Sequence, residues 1–462
     1  MYCEYYNYYK IHNNIQDKFN IIDKFELYEL YFKKLTIFSM NINNLKLDQY
    51  IPNLESIIEL KLLNVSPYRT SVYSIFNLFE HMPNIVNVYI DNRDVNKIHK
   101  IKKKNVSTRS WNDPNILKNL QSVKTFTITG IVDGKCYRYF NTIFKYCTNL
   151  EHFQYGDQSL NNNKKISKYL HNGLFNGIRI NSNYFSNLKN LKLFGINWNK
   201  ILSLFRDLYI INLCNLKVLE LYGCETKQIR NRDYKCYIFM DSFKLFCMKI
   251  NLNLQHLSIN LCFDNILTII AENLKNLKQL FIMNTQANLV PHINFTKLTQ
   301  LTKLEHIKIY IPLPSESLIY LFCTDTFHWW LVNLKSVMLQ NVIENDFLLN
   351  SFCYNFDSKY SNLTMLGLIN VKTQNCIPIF KHLSKIEYLN IIFSDYIIYD
   401  DVNYFNFTDH QDFSKYNLNC FKKIKYLNIN KIVPGFELEL YDHIDTCKVE
   451  YYQNVSDCYI AL

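Results

Sequence analysis

One short spacing of apolar residues returns along almost the whole chain, and it leaves few folds open. Asn187-Leu188-Lys189-Asn190-Leu191-Lys192-Leu193-Phe194-Gly195-Ile196 has a near copy at Asn215-Leu216-Lys217-Val218-Leu219-Glu220-Leu221-Tyr222-Gly223-Cys224. The same apolar-x-x-apolar-x-apolar rhythm recurs at Leu254/Leu257/Ile259/Cys262, Leu277/Leu280/Ile282/Thr285, Leu334/Val337/Leu339/Val342, Leu363/Leu366/Leu368/Val371 and Ile424/Leu427/Ile429/Ile432. Weaker copies start at Ile57, Ile85, Val123, Leu150, Leu304 and Ile386, with end units at Phe32 and Ile444. One such match means little in a chain rich in Leu and Ile, but about thirteen in order define a repeat. Apolar residues two apart share one face of a strand, so Leu191 and Leu193 turn to a core while Lys192 and Phe194 take the other face.

The pattern resembles the leucine-rich-repeat consensus, with long units of the ribonuclease-inhibitor-like or F-box-associated kind. The resemblance covers residues 32–452. It implies a right-handed α/β solenoid, a horseshoe with parallel strands on the concave face and helices on the convex face. The organisation expected is an N-terminal cap at 1–31, an array of about 13 to 15 units at 32–452, and a tail at 453–462. Amphipathic helices are expected at Tyr73–Met82, Tyr139–Cys147, Phe239–Ile250 and Ile266–Leu274. From Ile57 the units alternate between about 28 and 38 residues, which hints at a two-unit duplication. The extra residues fall at 91–115, 156–183, 225–250 and 392–420, and insertions of this kind are expected as loops.

Composition supports the repeat and excludes other classes. Only 9 Gly and 9 Pro among 462 residues argue against a succession of tight hairpins. Asn fills roughly one position in eight, and with Ile, Lys, Tyr and Phe it suggests an AT-rich genome. The net charge of +11 is modest for the length, so nucleic acid is not an expected partner. The first residues, Met1-Tyr2-Cys3-Glu4, do not form a secretory signal, and the run Ile201–Cys214 is broken by Arg206 and Asp207. No membrane span is therefore expected. The 14 Cys show no C-x-x-C pair and read as reduced thiols of a cytoplasmic protein. The basic run Lys97–Lys104 would allow a nuclear one. The six sequons at Asn64, Asn105, Asn294, Asn362, Asn406 and Asn454 are discounted as glycosylation sites for the same reason.

Catalytic patterns are absent: there is no phosphate-binding loop, no nucleophile elbow and no zinc-protease helix. The sequence implies no catalytic residues, no cofactor, no metal and no small-molecule substrate. Cys224 and Cys262 sit at the small, buried consensus position after the strand, and Cys323 with His328 reads as an aromatic helix end. The chain is therefore expected to be a scaffold, not an enzyme, and to bind a protein partner on its concave strand face. The residues expected there are Tyr89, Lys192, Phe194, Glu220, Tyr222, Phe281, Met283, Lys308, Tyr310, Met338 and Tyr388, a set rich in the aromatic and Met anchors of interfaces. On this reading, charges placed at Phe194, Tyr222, Phe281 and Tyr310 would abolish binding and leave stability nearly unchanged. The alternative is a substrate-recognition subunit of a ubiquitin ligase, although residues 1–31 lack an F-box and Val433–His443 echoes one only faintly.

Overall fold

In the computed structural model the residues described are 33–38, 54–63, 79–92, 114–130, 146–156, 185–197, 213–224, 234–260, 265–283, 295–310, 332–340, 362–371, 385–393, 425–429 and 446–449. The chain divides into two compact units, Met1–Asn253 and Leu254–Leu462. The first holds strands β1 (Lys34–Phe38), β2 (Glu59–Leu63), β3 (Asn87–Asn92), β4 (Thr125–Gly130), β5 (His152–Tyr155), β6 (Asn190–Asn197) and β7 (Val218–Cys224). Each pairs in parallel with the next in sequence. The second holds β8 (His256–Ile259), β9 (Gln279–Met283), β10 (His306–Tyr310), β11 (Ser336–Gln340), β12 (Met365–Val371), β13 (Tyr388–Phe393), β14 (Tyr426–Ile429) and β15 (Thr446–Val449). These too pair in parallel and in sequence order. Every repeat read from the sequence, the two end units included, supplies one strand.

The register explains the repeat. Leu191 lies beside Leu219, and Leu193 beside Leu221. In the second unit Leu280 lies beside Ile307, and Ile282 beside Ile309. Leu219, Leu221, Leu280 and Ile282 are fully buried. Burying each such side chain is worth about 1.5–3 kcal/mol. A single unit has nothing to cover this leucine face, so the stack is the smallest thing that folds.

Eight of the strands, β2–β7, β9 and β10, are entered through the same turn. The Leu188 N–H donates to the Phe185 carbonyl at 2.9 Å, Leu216 to Leu213 at 3.1 Å, and Leu304 to Leu301 at 3.0 Å. The next two N–H groups share one carbonyl of the preceding repeat, as Lys189 and Asn190 do on Glu151 at 2.8 and 3.0 Å. Lys217 and Val218 repeat this on Lys189, and Glu305 and His306 on Lys278. Backbone donors at the turn are thus satisfied by the neighbouring repeat.

The Asn that precedes so many repeat leucines ties these turns together. Asn187 Nδ2 donates to the Thr148 carbonyl at 3.1 Å, and Asn215 Nδ2 to Ser186 at 2.6 Å. Asn84, Asn149, Asn333 and Asn362 do the same to Glu55, Gln121, Thr302 and Val332. Asn253 donates to Cys214. In the first unit the residues so linked lie 29, 28, 39, 29 and 39 apart, so the long and short repeats of the sequence stack on one spacing. Leucine packing supplies no such donors; the Asn amides do. Asn215→Ala is expected to lower stability by about 1 kcal/mol in thermal or urea unfolding. An unchanged midpoint would show that water replaces the bond without cost.

A second ladder runs one position after the repeat leucine. Glu151 lies 2.6 Å from Lys189 Nζ and 3.5 Å from Lys124 Nζ. Lys335 meets Glu305 at 2.7 Å, and Lys425 meets Glu387 at 3.0 Å. The hydrogen bond from Lys189 holds the Glu151 carboxyl below the usual carboxylate range. A folded value below the unfolded one means the pair stabilises at neutral pH and loses that contribution as pH falls through the folded value. These exposed pairs are worth no more than about 1 kcal/mol each.

Three α-helices are described at length: α1 (Pro114–Leu120), α2 (Tyr234–Ile250) and α3 (Ile266–Asn273). Pro114 opens α1, where its missing N–H costs nothing. Within α1, Asn119 donates to the Phe79 carbonyl at 2.7 Å and joins that helix to the previous repeat. Helix α3 matches the expected Ile266–Leu274 and buries Ile266, Leu267, Ile269, Ile270 and Ala271. Helix α2 contains the expected Phe239–Ile250, begins five residues earlier inside the 225–250 insertion, and buries Phe243, Phe246, Cys247 and Ile250. These four buried residues follow the helical spacing i, i+3, i+4 and i+7. The expected helices at Tyr73–Met82 and Tyr139–Cys147 lie largely outside the described residues.

Candidate binding face on the strands

The strand residues that alternate with the leucine face form the candidate site, and each unit builds it differently. In the first unit the charges pair among themselves. Lys61 lies 3.2 Å from Glu59 and 5.5 Å from the centre of the Tyr89 ring. Lys192 reaches Glu220 on the adjoining strand at 2.6 Å. Gln154 folds back on the Gly156 carbonyl at 3.1 Å. Phe194 and Tyr222 follow the register pair Leu193 and Leu221, and their rings stack 4.7 Å apart at an interplanar angle of 4°.

The second unit carries a more apolar arrangement. His256 Nδ1 lies 2.6 Å from Gln279 Oε1, and its ring meets Phe281 edge-on with centroids 4.9 Å apart. The Lys308 ammonium sits 5.0 Å from the centre of the Phe281 ring. Burial holds that ammonium below the usual lysine range. The Tyr310 hydroxyl donates to the Met338 sulfur at 3.7 Å. Met338 in turn lies across the next strand, and Gly367 is what admits it. A Cβ at Gly367 would stand 2.7 Å from Met338 Cε and 2.9 Å from its Cγ.

Burial corrects part of the sequence expectation. Phe194, Tyr222, Tyr310 and Met338 were read as exposed anchors, but they are only 5, 4, 4 and 3% exposed. Neighbouring parallel strands lie about 4.8 Å apart, which is also the stacking distance of aromatic rings, so large side chains in adjoining rows cover one another. A charge at three of the four test positions would therefore be a core substitution. Tyr89, Lys192, Glu220, Phe281, Met283 and Lys308 are partly buried. Tyr388 alone of the expected set is exposed, at 40%, and its register partner Met365, absent from that set, is 37% exposed. Alternation placed Met365 on this face; only the burial singled it out.

Other candidates fall elsewhere. Lys97–Lys104, Cys262, Cys323, His328 and Val433–His443 lie outside the described residues, as do the sequons at Asn64, Asn105, Asn294, Asn406 and Asn454. Asn362 uses its amide in the turn ladder at 2.6 Å. Cys147 and Cys247 are buried thiols, and burial pushes both well above the ordinary thiol range, so neither is a thiolate nucleophile. Among the described residues no cluster of three or more His, Cys, Asp or Glu is placed to hold a metal ion. Among them, too, no helix is long and apolar enough to cross a membrane.

No family model matches the chain, and no curated protein does. Among solved structures it is similar to a Toll–Spatzle complex from Drosophila, at 11% identity with a TM-score of 0.39, covering 90% of this chain and 51% of that one. It is also similar to a TLR13–ssRNA13 complex, at 14% identity with a TM-score of 0.37, covering 90% and 45%. The chain thus spans about half the length of the proteins it matches. What decides the fold lies in the chain itself: parallel strands in sequence order, one per apolar repeat, eight of them entered through one recurring turn. This is a leucine-rich-repeat fold. The leucine-rich repeats place their leucines on one strand face and leave the other face for the residues described above.

Proposed function

We propose that the chain is a protein-binding scaffold that holds its partner on the strand face opposite the leucines, and that it is not an enzyme. The observation that carries this reading is the Met365–Tyr388 pair. Two large side chains, joined in register on adjacent strands, are exposed, whereas the other large side chains described on that face are partly or fully buried. Met and Tyr are enriched at protein interfaces, and a rigid sheet presents them with little entropy left to lose on binding. The absence of a recognisable catalytic pattern in the sequence supports the scaffold reading. A cytoplasmic setting, with the basic run Lys97–Lys104 allowing a nuclear one, belongs to the same proposal and rests on the sequence alone.

The test is affinity capture from the native host with two baits, the wild-type chain and the double variant Met365→Asp/Tyr388→Asp. Both positions are exposed, so the variant is expected to fold with a melting temperature close to that of the wild type. A partner recovered by the wild type and lost from the variant supports the proposal. Partners retained by the variant overturn it. The ligase reading stands or falls in the same experiment, since recovery of Skp1- or cullin-type subunits would favour it over a free scaffold.

A further inference from the structure

The strands of the two units differ sharply in charge. Strands β1–β7 carry Glu59, Asp91 and Glu220, and the first unit's Lys61 and Lys192 each pair with one of those glutamates. Strands β8–β15 carry no Asp or Glu at all. On β8–β13 the cation is Lys308, with His256 and His306 beside it on the same face. Lys308 is partly buried, its contact is the Phe281 ring, and among the described residues no carboxylate pairs with it. Burial is the cause that lowers its proton affinity, with no carboxylate acting in the other direction.

A partly desolvated ammonium without an anion is costly to keep, and an aromatic face offsets only about 0.5–2 kcal/mol of that cost. The first unit shows how this chain ordinarily meets the cost, with a glutamate on the same or the adjoining strand. We propose that Lys308, held above the Phe281 ring on the acid-free strands of the second unit, is a seat for a side-chain carboxylate from an acidic segment of the protein partner. This rests on the scaffold reading and names the chemistry of its ligand. A carboxylate suits the place better than a nucleic-acid phosphate backbone. Nucleic acid is held by rows of cations along its length, and the described residues of β8–β13 offer one lysine and no arginine. An acidic peptide needs a single cation with apolar surface beside it, and Phe281 supplies that surface.

The full chain is titrated, by fluorescence anisotropy at low salt, with labelled hexaglutamate, labelled hexaglutamine and a labelled oligothymidylate of six nucleotides. Hexaglutamate is expected to bind at least about tenfold more tightly than hexaglutamine, and Lys308→Gln is expected to remove that difference. Lys61→Gln and Lys192→Gln, whose lysines are already paired, are expected to keep it. Lys308→Gln should melt no lower than the wild type, because no ion pair is lost, so a loss of binding reports the seat and not the fold. Equal binding of the two peptides, or discrimination that survives in Lys308→Gln, overturns the proposal. So does preferential binding of the oligothymidylate, which would assign the lysine to phosphate. If capture through Met365 and Tyr388 succeeds while the peptide discrimination is absent, the scaffold reading stands and the carboxylate seat falls. If both fail, the strand-face reading falls with it.

Discussion

Leu219→Asp is expected to unfold the repeats around β7. Leu219 is fully buried on β7, in register with Leu191. The substitution removes about 1.5–3 kcal/mol of burial and sets a carboxylate where no cation can reach it. Together these exceed about 4 kcal/mol, a large share of the 5–15 kcal/mol that ordinarily holds a domain. The exposed neighbour Lys217 is the control, since Lys217→Asp is expected to change stability by less than about 0.5 kcal/mol. Urea unfolding followed by circular dichroism separates the two. Limited proteolysis would then show cleavage concentrated around 185–224, because repeats lean chiefly on their neighbours. A Leu219→Asp chain that unfolds with the wild-type midpoint would remove β7 from the core.

Tyr222→Asp is the second large effect, and it runs against the expectation drawn from alternation alone. Alternation puts Tyr222 on the face away from the leucines and predicts a silent change in stability. In the structure the ring is 4% exposed and stacked on Phe194 at 4.7 Å. Removing it loses the stack and buries a carboxylate against the remaining ring, at a cost of about 3–5 kcal/mol. Phe194→Asp is expected to behave in the same way, whereas Tyr388→Asp, on an exposed side chain, should not. Differential scanning calorimetry of the three variants checks this. A Tyr222→Asp protein that melts with the wild type would mean that the stack is a surface contact.

These two residues mark the boundary of what the sequence makes legible. The leucine positions, the number of strands and their order could be read from spacing, because a period of two and a fixed repeat leave one arrangement that buries every leucine. The Asn before Leu188 and Leu216 was visible as a recurring letter. Its role as a donor to the previous turn was not, since that depends on which carbonyl the stack brings within 3.1 Å. The pairing of Lys192 with Glu220 likewise needs the register. Alternation states which face a side chain takes but not what covers it, and so Phe194, Tyr222, Tyr310 and Met338 read as open when they are closed. Met365 was passed over because a lone Met in a strand looks no different from a buried one. The helix Phe239–Ile250 was legible, but the exposure of its Leu245 and Met248, at 50 and 51%, was not.

Those α2 residues provide the sharpest contrast for the central claim, because they form a second exposed apolar surface on a different element. Oxidative footprinting of the chain bound to its captured partner, read by mass spectrometry, compares them directly. The scaffold account predicts that Met365 and Tyr388 become protected from oxidation in the complex while Met248 reacts as it does in the free chain. Protection of Met248 with Met365 and Tyr388 unchanged would place the partner on the helix and contradict the account.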